Sequence, residues 1–295
     1  MILMRSEIEV FSPRTLEEAL TLLQQHQKDI KIVAGGSDVI VQLRDGVIKT
    51  EKLLNILPLK NLRFIEEKKG RVRVGSLSTY GDIVCSQHTR KHAWILVEAA
   101  KQIGASQLQN TATIGGNLGN ASPAGDSLPP LYALEATVVT RSTSGRREIP
   151  IERFFVGYRK TALKSDELIE EISFEGLTRN DAGAYLKLGL REANAISIVD
   201  VAVALRGKRR NSYSDVKVAL GAVAPTILRA HKCEQALAGR RVTDKILQKA
   251  AELAAQDASP ITDIRASAEY RRKIVSSLVF QAVHKAVFTN RSVRG

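Results

Sequence analysis

The stretch KIVAGGSDVIVQL, Lys31 to Leu43, holds two apolar runs parted by Gly35, Gly36, Ser37 and Asp38. The first run, IKIVA, is short and β-branched, which predicts a buried strand ending at the glycines. The second, DVIVQLRDG, reads as either a helix or a second strand, with Asp38 placed to cap a helix and Gly46 to end one. Upstream, SPRTLEEALTLLQQH predicts a helix, because Leu16, Leu20 and Leu23 recur at helical spacing and Thr15 and Glu18 stand as a capping box. A Gly-Gly pair between two periodic segments is an ordinary turn signal. It is also a turn in which successive N–H groups converge on an anion with no Cβ in the way.

Downstream, GRVRVGSLSTYGDIV alternates from Arg71 to Val74 as a strand and restarts as a helix near Tyr80. HAWILVEAAKQIG predicts an amphipathic helix ending at Gly104, ALEATVV a strand, and RSTSGRRE a hairpin tip at Gly145. Near residue 176 a polar connector gives way to strand-like alternation up to VDVAVAL, followed by two helical stretches, VTDKILQKAAELAAQ and YRRKIVSSLVFQAVHKAV. Short helices mixed with alternating strands predict an α+β protein with a boundary at about 176.

Composition narrows the function. The 295 residues carry 44% hydrophobic content, enough for two or three packed domains. No run approaches the ~18 apolar residues of a membrane span, and the charged, short apolar start predicts a cytoplasmic protein rather than a secreted one. Cys85 and Cys233 stand far apart and provide neither a disulfide framework nor a cluster-binding pair. Lys and Arg number 44 against 31 acidic residues, a formal charge of +13. The basic runs RGKRR (206–210), AGRR ending at Arg241 and YRRK (270–273) lack the spacing of a nucleic-acid motif, so docking to an acidic protein or a solvated face is expected instead. His88 and His92 share a helical spacing, but no carboxylate or cysteine cluster completes a metal site, and none is predicted. Trp94 and Phe154-Phe155 are expected in the core.

A second glycine-rich region, TIGGNLGNASPAGD at 113–126, offers Thr113, Asn117, Asn120 and Ser122 as polar partners for an anion, as Ser37 does in the first. Neither region fits the G-x-G-x-x-G or P-loop fingerprints, which disfavours Rossmann and NTPase readings. Asp126 reads equally as a cap of the next segment or as a carboxylate for a ribose hydroxyl.

Four stretches in order, VAGGSDVIVQLRDG, NTATIGGNLGNASPAGDSLPPLYALEATV, DELIEEI and YLKLGLREANAISIV, closely resemble the FAD-binding medium subunit of the molybdenum hydroxylases, the family of xanthine dehydrogenase and carbon monoxide dehydrogenase. The resemblance spans essentially the whole chain. It implies a PCMH-type FAD-binding domain of two α+β subdomains over residues 1–176 and a smaller α+β C-terminal domain over 177–295. It implies noncovalent FAD, with Val33, Ala34, Gly35, Gly36, Ser37, Asp38 and Val39 as the pyrophosphate cradle. Ala112, Thr113, Gly116, Asn117 and Asn120 would form a second loop around the pyrophosphate and the flavin side. Asp126 matches an acidic residue for the sugar part, Leu168 or Ile169 a backbone position at the isoalloxazine ring, and Lys187 a basic residue near it. Ile103 stands where some relatives place an aromatic ring near the adenine.

The same resemblance implies partners: a molybdopterin subunit that oxidises the organic substrate, a two-iron two-sulfur subunit that relays electrons, and NAD or another acceptor. The absence of clustered cysteines agrees with that division and disfavours relatives with an extra cluster in this subunit. Two other readings are a free-standing FAD-dependent reductase of the same FAD fold and a basic binding module without catalysis.

Overall fold

The computed structural model describes residues 7–210 and 212–289. Three units follow one another. In the first, strands Glu9–Phe11, Lys52–Asn55 and Ile30–Val33 form a parallel sheet in that spatial order. Parallel pairing needs a crossover, and the helix Leu16–His26 supplies it, with the predicted capping box between Thr15 and Glu18 present. Ala19, Leu20 and Leu23 pack with Ile30, Leu54 and Ile56 into a small core that also takes in Leu77 and Leu168. DVIVQLRDG resolves as a helix, Val39–Arg44, and Gly46 follows it at φ +69°.

The second unit is a five-stranded antiparallel sheet ordered Ile65–Lys68, Arg71–Gly75, Leu168–Glu175, Thr137–Ser142, Gly145–Pro150. The hairpin tip falls at Gly145 as predicted, at φ +133°. Short helices cover the sheet, among them Tyr80–Cys85, Trp94–Ala100 and Leu128–Ala133. HAWILVEAAKQIG stops being helical earlier than expected, at Ala100, and Gly104 turns the chain at φ +55°. Phe154 and Phe155 lie in this core as expected, and Trp94 packs against it while its Nε1–H donates to Gly183 O.

The chain leaves that sheet at Glu175 and enters a four-stranded antiparallel sheet at Ala182, ordered Ala182–Leu188, Val199–Arg209, Ser212–Gly221, Leu228–Arg229. VDVAVAL is buried on both faces, which explains its almost unbroken apolar character. Val201, Val203 and Leu205 face the helices Asp244–Asp257 and Ala268–His284, whereas Ala202 and Ala204 join the core of the second unit. Small side chains on that face let the C-terminal sheet approach the helices of the second unit closely, and the two units share one core.

Candidate cofactor site

Ala34 to Val39 follow directly from the parallel strand Ile30–Val33, so the sheet fixes where the glycine turn begins. Gly36 adopts φ +74°, a conformation that other L residues rarely hold. Gly35 is required for a different reason: a Cβ there would come within 1.7 Å of Thr111 O, so the first turn abuts the chain entering the second glycine region. That second region is not an open loop, as its glycines suggested, but a helix, Ile114–Asn120. Tertiary contacts override its poor helix propensity. Gly115 lies so close to Ser76 that a Cβ would meet Ser76 Cβ at 2.6 Å, its N–H bonds Ser76 O, and the N–H of Ile114 bonds Ser78 O. Thr113 caps the helix, its Oγ1 accepting the Gly116 N–H at 3.1 Å.

Between the two glycine segments lies a cavity of about 550 Å³, within the ~300–1,000 Å³ usual for ligand sites. Of the residues read from the sequence, Ala34, Gly35, Gly36, Ser37, Asp38, Val39, Ile103, Ala112, Thr113, Gly116, Asn117, Asn120, Leu168 and Ile169 line it together. Val33 does not; it is buried at the end of its strand. Sequence reasoning missed Gln42, Tyr80, Thr161 and Lys164, which also line the cavity. Thr161 ends a two-stranded hairpin, Phe155–Gly157 with Lys160–Thr161, and Lys164 follows it.

The donors sort into used and unused. Among the described residues, the N–H groups of Gly35, Gly36, Ser37 and Asp38 find no acceptor in the protein, nor do the Ser37 hydroxyl and the Asn117 Nδ2 donors. These residues are half-buried on the cavity wall, and so many donors converging on one space suit an anionic or carbonyl-rich occupant. Asn117 is itself held from behind: Tyr80 donates to Ser127 Oγ at 3.1 Å, and Ser127 Oγ donates to Asn117 Oδ1 at 2.9 Å. The open face of Gly119, where a Cβ would have nothing within 4 Å of it, leaves the wall smooth. A diphosphate-bearing cofactor fits this donor set.

Asp126 and Lys187 fall elsewhere. Lys187 Nζ donates to Asp126 Oδ2 at 2.6 Å and to Gln102 O at 3.1 Å, with the side chains only 5% and 9% exposed. Ser197 Oγ donates to the other Asp126 oxygen at 2.6 Å. Neither side chain lines the large cavity; Lys187 lines a smaller one of about 320 Å³ with Gln102 and Leu188 to Glu192. Nor does Asp126 cap the next helix, whose cap position is Ser127. Burial pushes the Asp126 carboxyl up, against the pull of Lys187 and Ser197. Nearby, Tyr185 donates to Asp200 Oδ2 at 3.0 Å, and burial together with the charge of Asp126 pushes the Asp200 carboxyl well above the carboxylate range. His92, of the histidine pair, packs on Gly176 with its Nδ1 3.2 Å from Leu177 O.

A family model described as the FAD binding domain in molybdopterin dehydrogenase matches residues 6–174, and one described as the CO dehydrogenase flavoprotein C-terminal domain matches 184–286. The chain belongs to the FAD-binding medium subunits of the molybdenum hydroxylases. It is 31% identical to the nicotinate dehydrogenase FAD-subunit of Eubacterium barkeri, over 96% of each chain. It is 30% identical to the xanthine dehydrogenase FAD-binding subunit of Escherichia coli O157:H7, over 92% of this chain and 94% of that one. Its structure matches carbon monoxide dehydrogenase from Hydrogenophaga pseudoflava with a TM-score of 0.92 at 31% identity, covering 96% and 98% of the two chains. As in other medium subunits, an α+β FAD-binding domain precedes the C-terminal domain, and the cofactor of the family is FAD. Among the described residues no helix is long and apolar enough to cross a membrane.

Proposed function

We propose that this flavoprotein is the electron-handling subunit of a molybdenum hydroxylase, with residues 1–176 holding FAD and 177–295 forming the C-terminal domain. A molybdopterin subunit would oxidise the organic substrate, a two-iron two-sulfur subunit would relay single electrons, and this subunit would pass them to NAD or another acceptor. The observation that carries the reading is the row of four unmet backbone donors, Gly35 to Asp38, in a cavity of about 550 Å³.

On this reading the Gly35–Asp38 turn and the Ser37 hydroxyl hold the diphosphate. Asn117 presents its amide donors from a fixed rotamer, and Ile103, Leu108, Leu168 and Ile169 supply apolar wall. Asp126 and Lys187 act from behind the second glycine segment by fixing it against the C-terminal domain. FAD, when bound, supplies the exchange between one-electron and two-electron chemistry; the protein supplies position, dryness and electrostatics.

The test is purification from the native host under gentle conditions, with flavin, molybdenum and iron counted against the chain by mass spectrometry. Stoichiometric FAD with co-purifying molybdenum and iron–sulfur subunits is expected. A lone flavoprotein that oxidises an organic substrate by itself would favour the free-standing reductase, and a chain with no affinity for added FAD would overturn the reading.

A further inference from the structure

The first glycine turn contains a contradiction for a diphosphate site: Asp38 puts a carboxylate into the same cavity wall as the unmet N–H groups. Burial pushes that carboxyl above its usual range, and the charge of Arg159 and the amide of Asn120 pull against it. The geometry is a small cross-cavity network. Asn120 Nδ2 donates to Asp38 Oδ1 at 2.9 Å, tying the second glycine segment to the first. Asn120 Oδ1 in turn accepts from Gln42 Nε2 at 2.9 Å and from Arg159 Nη1 at 3.4 Å. Arg159 sits at the exposed tip of the Phe155–Gly157/Lys160–Thr161 hairpin, at φ +52°, and the chain that leaves this hairpin lines the cavity through Thr161, Leu163 and Lys164.

Resting on the reading of the cavity as an FAD site, we propose that Arg159 is a positioning residue for the diphosphate: it offsets the Asp38 charge, and through Asn120 it clamps the two glycine segments on either side of the cofactor. A carboxylate without that cation would face the diphosphate with like charge, and like charges at close range in a partly desolvated site cost more than in water. With the cation present, Asp38 becomes useful, because it orients Asn120 and so sets the spacing between the turn and the helix Ile114–Asn120.

This predicts a pattern across variants and ligands. Arg159→Gln is expected to weaken FAD binding about 10- to 100-fold, the range of a lost charge-assisted interaction. Adding Asp38→Asn, which keeps an oxygen acceptor for Asn120, is expected to recover most of that loss. Riboflavin, which lacks the diphosphate, is expected to bind Arg159→Gln and wild type alike. Affinities are read by calorimetry and flavin fluorescence on the apoprotein, with circular dichroism confirming the fold of each variant; Arg159→Lys serves as a charge-preserving second variant and is expected to lie near wild type. Equal FAD affinity for wild type and Arg159→Gln, an equal loss for riboflavin, or no recovery in the double variant would each overturn the proposal. Failure of the wild-type chain to bind FAD at all would instead overturn the reading of the cavity on which it rests.

Discussion

Replacing Lys187 by Met removes the cation from a sealed pair. Asp126, 9% exposed at its side chain, would keep the Ser197 hydroxyl on one oxygen and lose its only charged partner on the other, while Gln102 O would lose a donor. Breaking a buried ion pair by deleting one member costs about 3–5 kcal/mol, because the surviving charge stays desolvated. The retained Ser197 bond, at 2.6 Å, argues for the lower end, about 3 kcal/mol. At roughly 2–3 °C per kcal/mol for a chain of this size, the melting midpoint of the FAD-free protein should fall by about 6–9 °C. Adding Asp126→Asn removes the stranded charge and should restore most of the loss, although Asp126→Asn alone should destabilise by stranding Lys187. The assay is a thermal melt by circular dichroism on apoprotein, repeated with saturating FAD. A Lys187→Met apoprotein within about 1 °C of wild type, with its whole defect confined to FAD affinity, would refute the structural role and put Lys187 in contact with the cofactor.

Gly36→Val forces a β-branched residue to φ +74°, with its Cβ 3.1 Å from Ile40 Cγ1, and is expected to weaken FAD binding at least about tenfold with the fold retained. Equal affinity, by calorimetry, would remove the first turn from the site. Gly119→Ala should do two opposite things: raise the apoprotein midpoint, since Ala gains up to ~1 kcal/mol over Gly in a helix, and weaken FAD binding, since its methyl enters the cavity wall. Unchanged FAD affinity would mean that the cofactor does not pass that wall. For Asp200, the raised folded value means that the native chain keeps this proton where the unfolded chain has released it, so this group's contribution to stability falls as pH rises from about 4 and then levels off above the folded value. Asp200→Asn, which leaves an acceptor for Tyr185, should therefore raise the urea midpoint at pH 8 and leave it nearly unchanged at pH 4; a loss of stability at pH 8 would contradict the upward shift of this buried acid.

Local signals were legible in proportion to how local their physics is. Thr15 and Glu18 predict a capping box because both partners lie within one turn, and the box is there. Arg71 to Val74 alternate because one strand face is buried, and they form a strand. The TIGGNLGN helix was illegible because its stability comes from Ser76 and Ser78, which its own residues cannot reveal. The same holds for Asp126, whose partners Lys187 and Ser197 lie 61 and 71 residues along the chain. From the sequence, the carboxylate is as good a helix cap or sugar ligand as it is half of a buried pair. Arg159 escaped notice for a third reason: an exposed arginine on a hairpin tip carries no periodic signal, and its meaning depends on Asp38 and Asn120, which lie 121 and 39 residues earlier in the chain, arriving beside it.

The net charge of +13 was a poor guide to where an anion is held. The cavity wall carries Lys28, Lys31 and Lys164 but also Asp38 and Glu167, and Glu167 is already committed to Arg147 at 2.6 Å. Its capacity for a diphosphate rests instead on neutral donors in fixed directions. That choice has a physical logic, because flexible lysines attract any anion and lose their grip in salt, whereas a turn of backbone N–H groups is preorganised and cannot be neutralised by a counterion pairing with a side chain. Preorganisation requires that the turn not collapse on itself, and three contacts prevent it: the Ile30–Val33 strand fixes its start, Thr111 O fills the space where a Gly35 side chain would go, and the Asp38–Asn120 bond sets its distance from the facing helix. The facing helix is in turn held through Asn117 and Ser127, next to Asp126 and so to the C-terminal domain. The cofactor cavity is therefore a property of all three units together, and loosening the C-terminal domain should be felt at the glycine turn although, among the described residues, none of that domain lines the cavity.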